Sequence, residues 1–366
     1  MRVLHVYKAY MPEDRTGIPR AIYEIAEGMV EHNVETDVLT TGPKTIAGPV
    51  PVGRHAMHVS KRNLHFASTS FSVSILGRYR DLIQDVDLVH YHLPWPMSDC
   101  LDIAFRKHKP ALVTYHSDVV KQKAILPIYR PLMNAFLRRV DHIVATSGNY
   151  VRTSDVLQQF KDKVSVIPIG IAERSLPRPE LVDHWRARVG SDFFLFVGAF
   201  RYYKGLPFLA AAARKTGLPV VVAGGGDLTL FGNSELPENL ICVGEIGDED
   251  REALLELCRA FVFPSHLRSE AFGISLVEAA RAGKPMISCE LGTGTSYVNL
   301  HNETGLVIPP ADVTALAQAM ECLAKDKSLA ETCGLIARRR FAENFTSDMM
   351  VPRYLDLYRQ LVNGRK

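Results

Sequence analysis

Strand-like apolar runs alternate with helix-like segments along the whole of this 366-residue chain, and that alternation restricts the fold more than any other feature. Residues 3–7, 35–40, 88–92, 111–115, 142–146 and 164–167 read as one series of strands; residues 193–197, 219–223, 240–243, 260–263, 285–288 and 304–307 read as a second. Strands separated by helices are joined by crossovers, which make parallel sheets covered on both faces. A helix is expected to begin near Ile18, with Pro19 in its first turn, where a missing N–H costs nothing. Residues 172–192 carry Pro177, Pro179 and Gly190 but no strong apolar strand, and read as a connection. The expected fold class is α/β, with Rossmann-like, doubly wound domains over 1–172 and 193–346 and a linker over 173–192. Met349, Met350, Tyr354, Leu357, Tyr358 and Leu361 recur at helical spacing, so residues 347–366 are expected to form a last helix packing back on the first domain. Ligands bind outside the carboxyl ends of such strands, so a cleft between the two domains is expected.

This length suits two domains of ordinary size. No apolar run approaches the roughly 20 residues that span a bilayer, and the first residues, Met1 to Tyr7, read as a strand rather than a signal peptide. A net charge of +3 is too small to argue for nucleic acid. The six cysteines show neither a CxxC pair nor metal-like spacing, so reduced, buried thiols and a cytoplasmic setting are expected.

One segment carries a chemical signal. Ala260–Phe263 reads as a strand; Glu270 and Glu278, eight positions apart, bracket a Phe272-Gly273-Ile274 turn that opens an apolar helix. Strand, loop, glycine and helix in that order make an anion site, because the first N–H groups of a helix lack partners and its dipole favours negative charge there. Gly273 lets a ligand approach the main chain. Continuous helical geometry would separate the glutamates by roughly 12 Å, too far to act on one bond but suited to the two ends of a nucleotide sugar. Glu278 would then accept from a ribose diol, with Glu270 near the sugar. Spacing alone equally fits an acidic residue helping the dipole and one exposed helix glutamate.

Glu270–Glu278, followed by Gly283-Lys284-Pro285, resembles the E-x7-E signature of the retaining glycosyltransferases with the GT-B fold, often called family 4. Gly198 to Gly205, Ala223 to Gly226, His116-Ser117-Asp118 and Glu303 to Val307 support the resemblance over both halves of the chain. It implies that Lys204 reaches the departing phosphate, where positive charge and N–H donors stabilise the transition state. Relatives carry an arginine directly after the glycine equivalent to Gly198; Ala199 stands there, and Arg201, two residues on, is the expected substitute. Thr16-Gly17-Ile18 resembles the glycine loop that approaches the donor phosphate, with Ile18 in place of a second glycine. His116 matches the histidine expected near the donor sugar. His90 and His92 flank Tyr91 and are expected to face opposite ways; His92, Trp95 and Asp118 are expected on the acceptor side.

The implied catalytic group is thus His116, Arg201, Lys204 and Glu270, with Gly17, Phe272, Gly273, Ile274, Ser275 and Glu278 binding the donor. The implied reaction is metal-independent hexose transfer with retention by a front-side route, because a glycosidase-type carboxylate pair lies only about 5 Å apart. Asp85-Val86-Asp87 precedes a strand rather than following one, which sets it at the wrong edge for a metal. No cofactor is expected beyond the nucleotide sugar itself.

The runs Tyr115 to Gln122, Arg201 to Gly205 and Gly292 to Tyr297 look like mannosyl- and rhamnosyltransferases of bacterial O-antigen assembly, which implies a GDP-linked donor and a lipid-linked saccharide acceptor. A bilayer face is then expected at Lys121–Arg139, where basic residues mix with Ile125, Leu126, Tyr129, Leu132, Met133, Phe136 and Leu137. A second basic cluster, Arg54, His55, His58, Lys61, Arg62 and His65, adds to it. An amphipathic helix with a solvated polar face fits the first segment as well. Three other functions stay open: a nucleotide-sugar epimerase, a synthase with a soluble acceptor, and a non-catalytic nucleotide-sugar-binding subunit. A dinucleotide dehydrogenase lacks its GxGxxG turn after the first strand.

Overall fold

The computed structural model describes residues 1–15, 17–66, 69–119, 126–174, 176–232 and 235–364. The chain divides into two units, Met1–Ala172 with Ser347–Lys366, and Glu173–Thr346. The strands of the first unit are β1 (Arg2–Val6), β2 (Glu35–Gly42), β3 (Val50–Val52), β4 (His55–Lys61), β5 (Leu64–Phe66), β6 (Thr69–Phe71), β7 (Leu88–Leu93), β8 (Ala111–Tyr115), β9 (His142–Ala145) and β10 (Val164–Val166). Those of the second are β11 (Phe194–Val197), β12 (Val220–Ala223), β13 (Leu240–Gly244), β14 (Ala260–Phe263), β15 (Met286–Cys289) and β16 (Gly305–Ile308).

The first sheet runs β10-β9-β8-β7-β1-β2-β4-β3. All of its pairs are parallel except β3 with β4, at the edge. Strand order reverses at β1, which pairs with both β2 and β7, so the ends of β1 and β7 border the crevice where such sheets bind ligands. Four strands over residues 50–71 were not expected from the sequence. Pro51 breaks the apolar alternation, and Pro is tolerated there because β3 is an edge strand. In β4 the inward positions include His55 and His58, which read as basic surface until their partners are seen: Glu27 and Tyr10 for His55, Asp37 for His58.

The helix Ser347–Asn363 belongs to this unit and covers one face of its sheet. Met350, Val351, Tyr354 and Tyr358 pack with Val3, Leu88, Leu112 and Val144. The two tyrosine hydroxyls reach through the core, Tyr354 to Thr114 Oγ1 at 3.0 Å and Tyr358 to His90 Nδ1 at 2.7 Å.

The second sheet is wholly parallel in the order β13-β12-β11-β14-β15-β16. In the unit's own strand order this is 3-2-1-4-5-6, the doubly wound dinucleotide-binding arrangement, with its switch point between β11 and β14. Residues 173–192, read as a linker, fall inside this unit and form the helix Pro179–Val189. Pro179 and Gly190 punctuate its two ends, and Trp185 is buried with Nε1 donating to Asp250 Oδ1 at 2.9 Å. Proline and glycine at helix ends had the look of loop composition.

Gly205 fixes how β11 hands over to the helix Leu206–Thr216. Its φ is 74°, and a Cβ there would sit 2.0 Å from the Pro264 carbonyl oxygen at the end of β14. Gly205→Ala should therefore cost about 1–3 kcal/mol and lower the thermal unfolding midpoint measurably. An unchanged midpoint would show that the two loops do not press together as described.

Candidate active site

The site in the second unit is built by the loops after β11 and β14. Lys204 follows β11, and its Nζ lies 2.6 Å from Glu270 Oε2, which also accepts from Ser265 Oγ at 3.1 Å. The ammonium sits over the Phe263 ring at 4.5 Å. Both charged side chains are largely buried, so the pair and the Ser265 hydroxyl offset a desolvation that neither charge could bear alone. Glu270 therefore positions Lys204 directly. The two residues meet as one ion pair.

Glu270 precedes the helix: its N–H donates to Leu267, and helical geometry begins only at Ile274. The 12 Å estimate that assumed continuous helix does not apply. Gly273 caps the helix at φ 87°, with Leu276 and Val277 N–H groups returning to its carbonyl. The Ile274 and Ser275 N–H groups precede these first intrahelical bonds, as an anion site requires. Phe272 is buried, its ring edge-on to Phe345. Gly294 N–H donates to Ala271 O at 2.7 Å and Thr293 Oγ1 to Glu270 O at 2.8 Å, so the Gly292–Tyr297 run clamps this loop from β15.

Glu278 is buried on the helix, with Oε1 3.3 Å from Arg251 Nη1. Arg251 also meets Glu252, which Arg281 and Arg174 engage as well. Sequence reasoning missed Arg251 because it approaches from the helix Asp248–Leu257, which carries no motif. Arg201 is exposed in a turn, its carbonyl accepting from Lys204 N–H at 3.0 Å. The β11 strand ends at Val197, so the extended-strand argument that placed Arg201 on the face of residue 199 does not carry through.

In the first unit, Gly17 caps the helix Ile18–Val30 at φ 54°, where glycine alone is comfortable. Thr16 lies outside the described residues. His116 follows β8 and is nearly buried; its Nε2 lies 3.0 Å from His92 Nδ1, and His92 Nε2 lies 3.0 Å from His5 Nδ1. Two expectations need correction. His90 and His92 share one face, their rings stacked 4.2 Å apart, because side chains two apart on a strand point the same way. His92 and Trp95 are completely buried, so neither offers surface to an acceptor; Trp95 Nε1 donates to Ser70 O at 2.8 Å. Asp118 is half-buried, its Oδ1 accepting from the Tyr115 and Ser154 hydroxyls.

Among the described residues, the one group of three side chains able to share a metal ion is His5, His90 and His92. Both nitrogens of His90 are already engaged, by Tyr358 OH and Thr114 Oγ1. Asp87 of the Asp85-Val86-Asp87 run instead accepts from the Arg2 backbone N–H at 2.8 Å.

Burial pushes the His5 and His116 imidazoles down to about 3 and holds His90 and His92 well below the usual 6.5. These groups are neutral when folded and charge below about 6.5 when unfolded, so their contribution to stability is complete above that pH and is lost as pH falls toward 3. The unfolding midpoint should drop between pH 8 and pH 5, where few groups but histidine titrate. A flat profile would mean that the four rings are not buried neutral.

Residues 15–174 match the model described as Glycosyltransferase Family 4, and residues 177–340 match Glycosyl transferases group 1. The O-antigen chain mannosyltransferase C of Escherichia coli is 45% identical, with 100% of each chain covered. The D-rhamnosyltransferase WbpZ of Pseudomonas aeruginosa is 46% identical, covering 95% of this chain and 93% of its own. The solved sucrose-phosphate synthase of Thermosynechococcus elongatus shares the fold at 19% identity, with a TM-score of 0.82 and 99% of each chain covered. Matches to both halves, and relatives similar from end to end, place this chain in the GT-B glycosyltransferases of group 1 and family 4.

Proposed function

We propose that this protein transfers a mannose or a deoxymannose such as rhamnose from a GDP-linked donor to a lipid-linked saccharide during O-antigen assembly. The observation that carries the reading is the Lys204–Glu270 pair beside the helix opened by Gly273, at the switch point of the second sheet. A fixed ammonium and free N–H groups suit a departing diphosphate. The similarity to a mannosyltransferase and a rhamnosyltransferase supports the sugar class.

In this reading Lys204 and the N–H groups of Phe272 to Ser275 receive the phosphate charge, Arg201 adds exposed positive charge, and Glu278 accepts from the ribose. Gly17 lets the main chain approach the phosphate. His116 hydrogen-bonds the sugar, Asp118 stays on the acceptor side, and the leaving phosphate takes the acceptor proton, giving retention without a metal. Arg251 beside Glu278 leaves that carboxylate anchored from behind.

We place the protein in the cytoplasm, against the inner membrane surface. No helix among the described residues is long and apolar enough to cross a membrane. The expected membrane face needs revision: Tyr129, Met133, Phe136 and Leu137 are buried in the first unit, while Lys121, Lys123 and Ile125 lie outside the described residues. In the second cluster His55 and His58 are buried, and Arg54 and Arg62 are paired with Glu27, Glu31 and Glu13. The β5–β6 ribbon is the better candidate, with Leu64 and Phe71 cross-strand neighbours and Leu64, Phe66, Phe71 and Val73 all exposed.

Three outcomes test this. In a thermal-shift panel, GDP-mannose or GDP-rhamnose should raise the unfolding midpoint and the UDP- and ADP-sugars should not; no shift with any nucleotide sugar would sink the transferase reading. Glu278→Ala should chiefly weaken donor binding, whereas His116→Ala should cut turnover more than binding; the opposite split would exchange their roles. Phe66→Ser should release the protein from vesicles containing phosphatidylglycerol while leaving transfer to a detergent-solubilised acceptor intact, and unaltered vesicle binding would discard the ribbon.

A further inference from the structure

His5, His92 and His116 lie on three adjacent strand ends of the first sheet and form a continuous chain of imidazoles. The links are His5 Nδ1 to His92 Nε2 and His92 Nδ1 to His116 Nε2, each 3.0 Å. The ring planes are nearly parallel along the chain, with interplanar angles of 17° and 24°. His5 and His92 are completely buried. His90 stacks beside them but stands outside the chain, because Tyr358 and Thr114 already hold its two nitrogens.

A neutral imidazole carries one N–H and one lone pair, so three linked rings admit two proton arrangements. In the first, protons point from His116 toward His5; the last N–H, on His5 Nε2, is then buried with nothing to receive it, since that atom has no hydrogen-bond partner among the described residues. In the second, protons point from His5 toward His116, and His5 Nε2 is left with only an unused lone pair. Orphaned buried N–H groups are rarer than under-used acceptors. The second arrangement therefore wins, and it puts the His116 proton on Nδ1, the nitrogen that the chain does not occupy.

We propose that His5 and His92 are positioning residues that orient the His116 ring and hold it as the Nδ1–H tautomer, so that it meets its substrate as a hydrogen-bond donor to a sugar oxygen. The functional half of this rests on the placement of His116 at the donor sugar; the tautomer itself does not.

Uniformly ¹⁵N-labelled protein, with His116 identified by comparison with His116→Gln, gives the test through long-range imidazole correlations at pH 7.5. The expected spectrum has a protonated Nδ1 and a bare Nε2 at His116. A proton on Nε2 overturns the proposal, as does stoichiometric zinc in the purified protein with His5, His90 and His92 shifted as ligands. In transfer assays, His92→Leu should lower kcat about five- to tenfold, the scale of one hydrogen bond, with little change in donor KM. His92→Gln, whose amide N–H can donate to His116 Nε2, should regain most of it. Leu and Gln variants equally impaired would overturn the positioning role. An Nδ1–H spectrum together with unchanged kinetics in His92→Leu would overturn instead the placement of His116 at the donor.

Discussion

The arrangement depends on one constraint: parallel strands joined by crossovers present all their carboxyl ends on one edge, and the edge opens only where strand order reverses. In the second unit that reversal falls between β11 and β14. It brings Lys204, just past one strand, against Glu270 and Ser265, just past the other. Gly205 is the junction that lets the two loops touch, since its backbone passes where a side chain would strike Pro264. A buried ammonium held by a single carboxylate is a local charge balance that an incoming diphosphate can re-divide, which is the chemistry a glycosyl donor requires.

The first unit applies the same constraint to a different end. Its reversal lies at β1 and β7, and the residues gathered there are imidazoles rather than opposed charges. Burial keeps these rings neutral, so they direct hydrogen bonds without adding charge to the site. The helix Ser347–Asn363 supports them from the far side, through the tyrosine hydroxyls that reach His90 and Thr114. Residues of this helix thus help set the geometry of β7 and β8.

Much of this was legible in the sequence, for physical reasons. Buried parallel strands are continuous apolar runs, and β8 and β14 fall on the residues where such runs stand. Strand β4 was illegible because its buried His55 and His58 pair with Glu27 and Asp37, pairings that exist only after folding, and β3 because Pro51 interrupts its apolar run. The helix Pro179–Val189 was hidden by its own caps. Within the site, Lys204, Glu270 and Gly273 were visible through their motif. The contacts of Arg251 with Glu278 and of His5 with His92 join segments with no local signal, so only tertiary structure brings them out. His92 shows the limit most clearly: a histidine at a strand end can face outward or lie within the core, and burial decided for the second.

Lys204 is the group proposed to receive the departing phosphate. The most direct test compares wild type with Lys204→Met in single-turnover transfer from a GDP-sugar, with donor binding measured alongside. Loss of about 10²–10³-fold in the chemical step, the scale for removing one preorganised charge-stabilising group, is the predicted result in protein assayed below its unfolding midpoint, which should itself fall because Glu270 is left buried without its partner. Transfer by Lys204→Met at the wild-type rate would contradict the account.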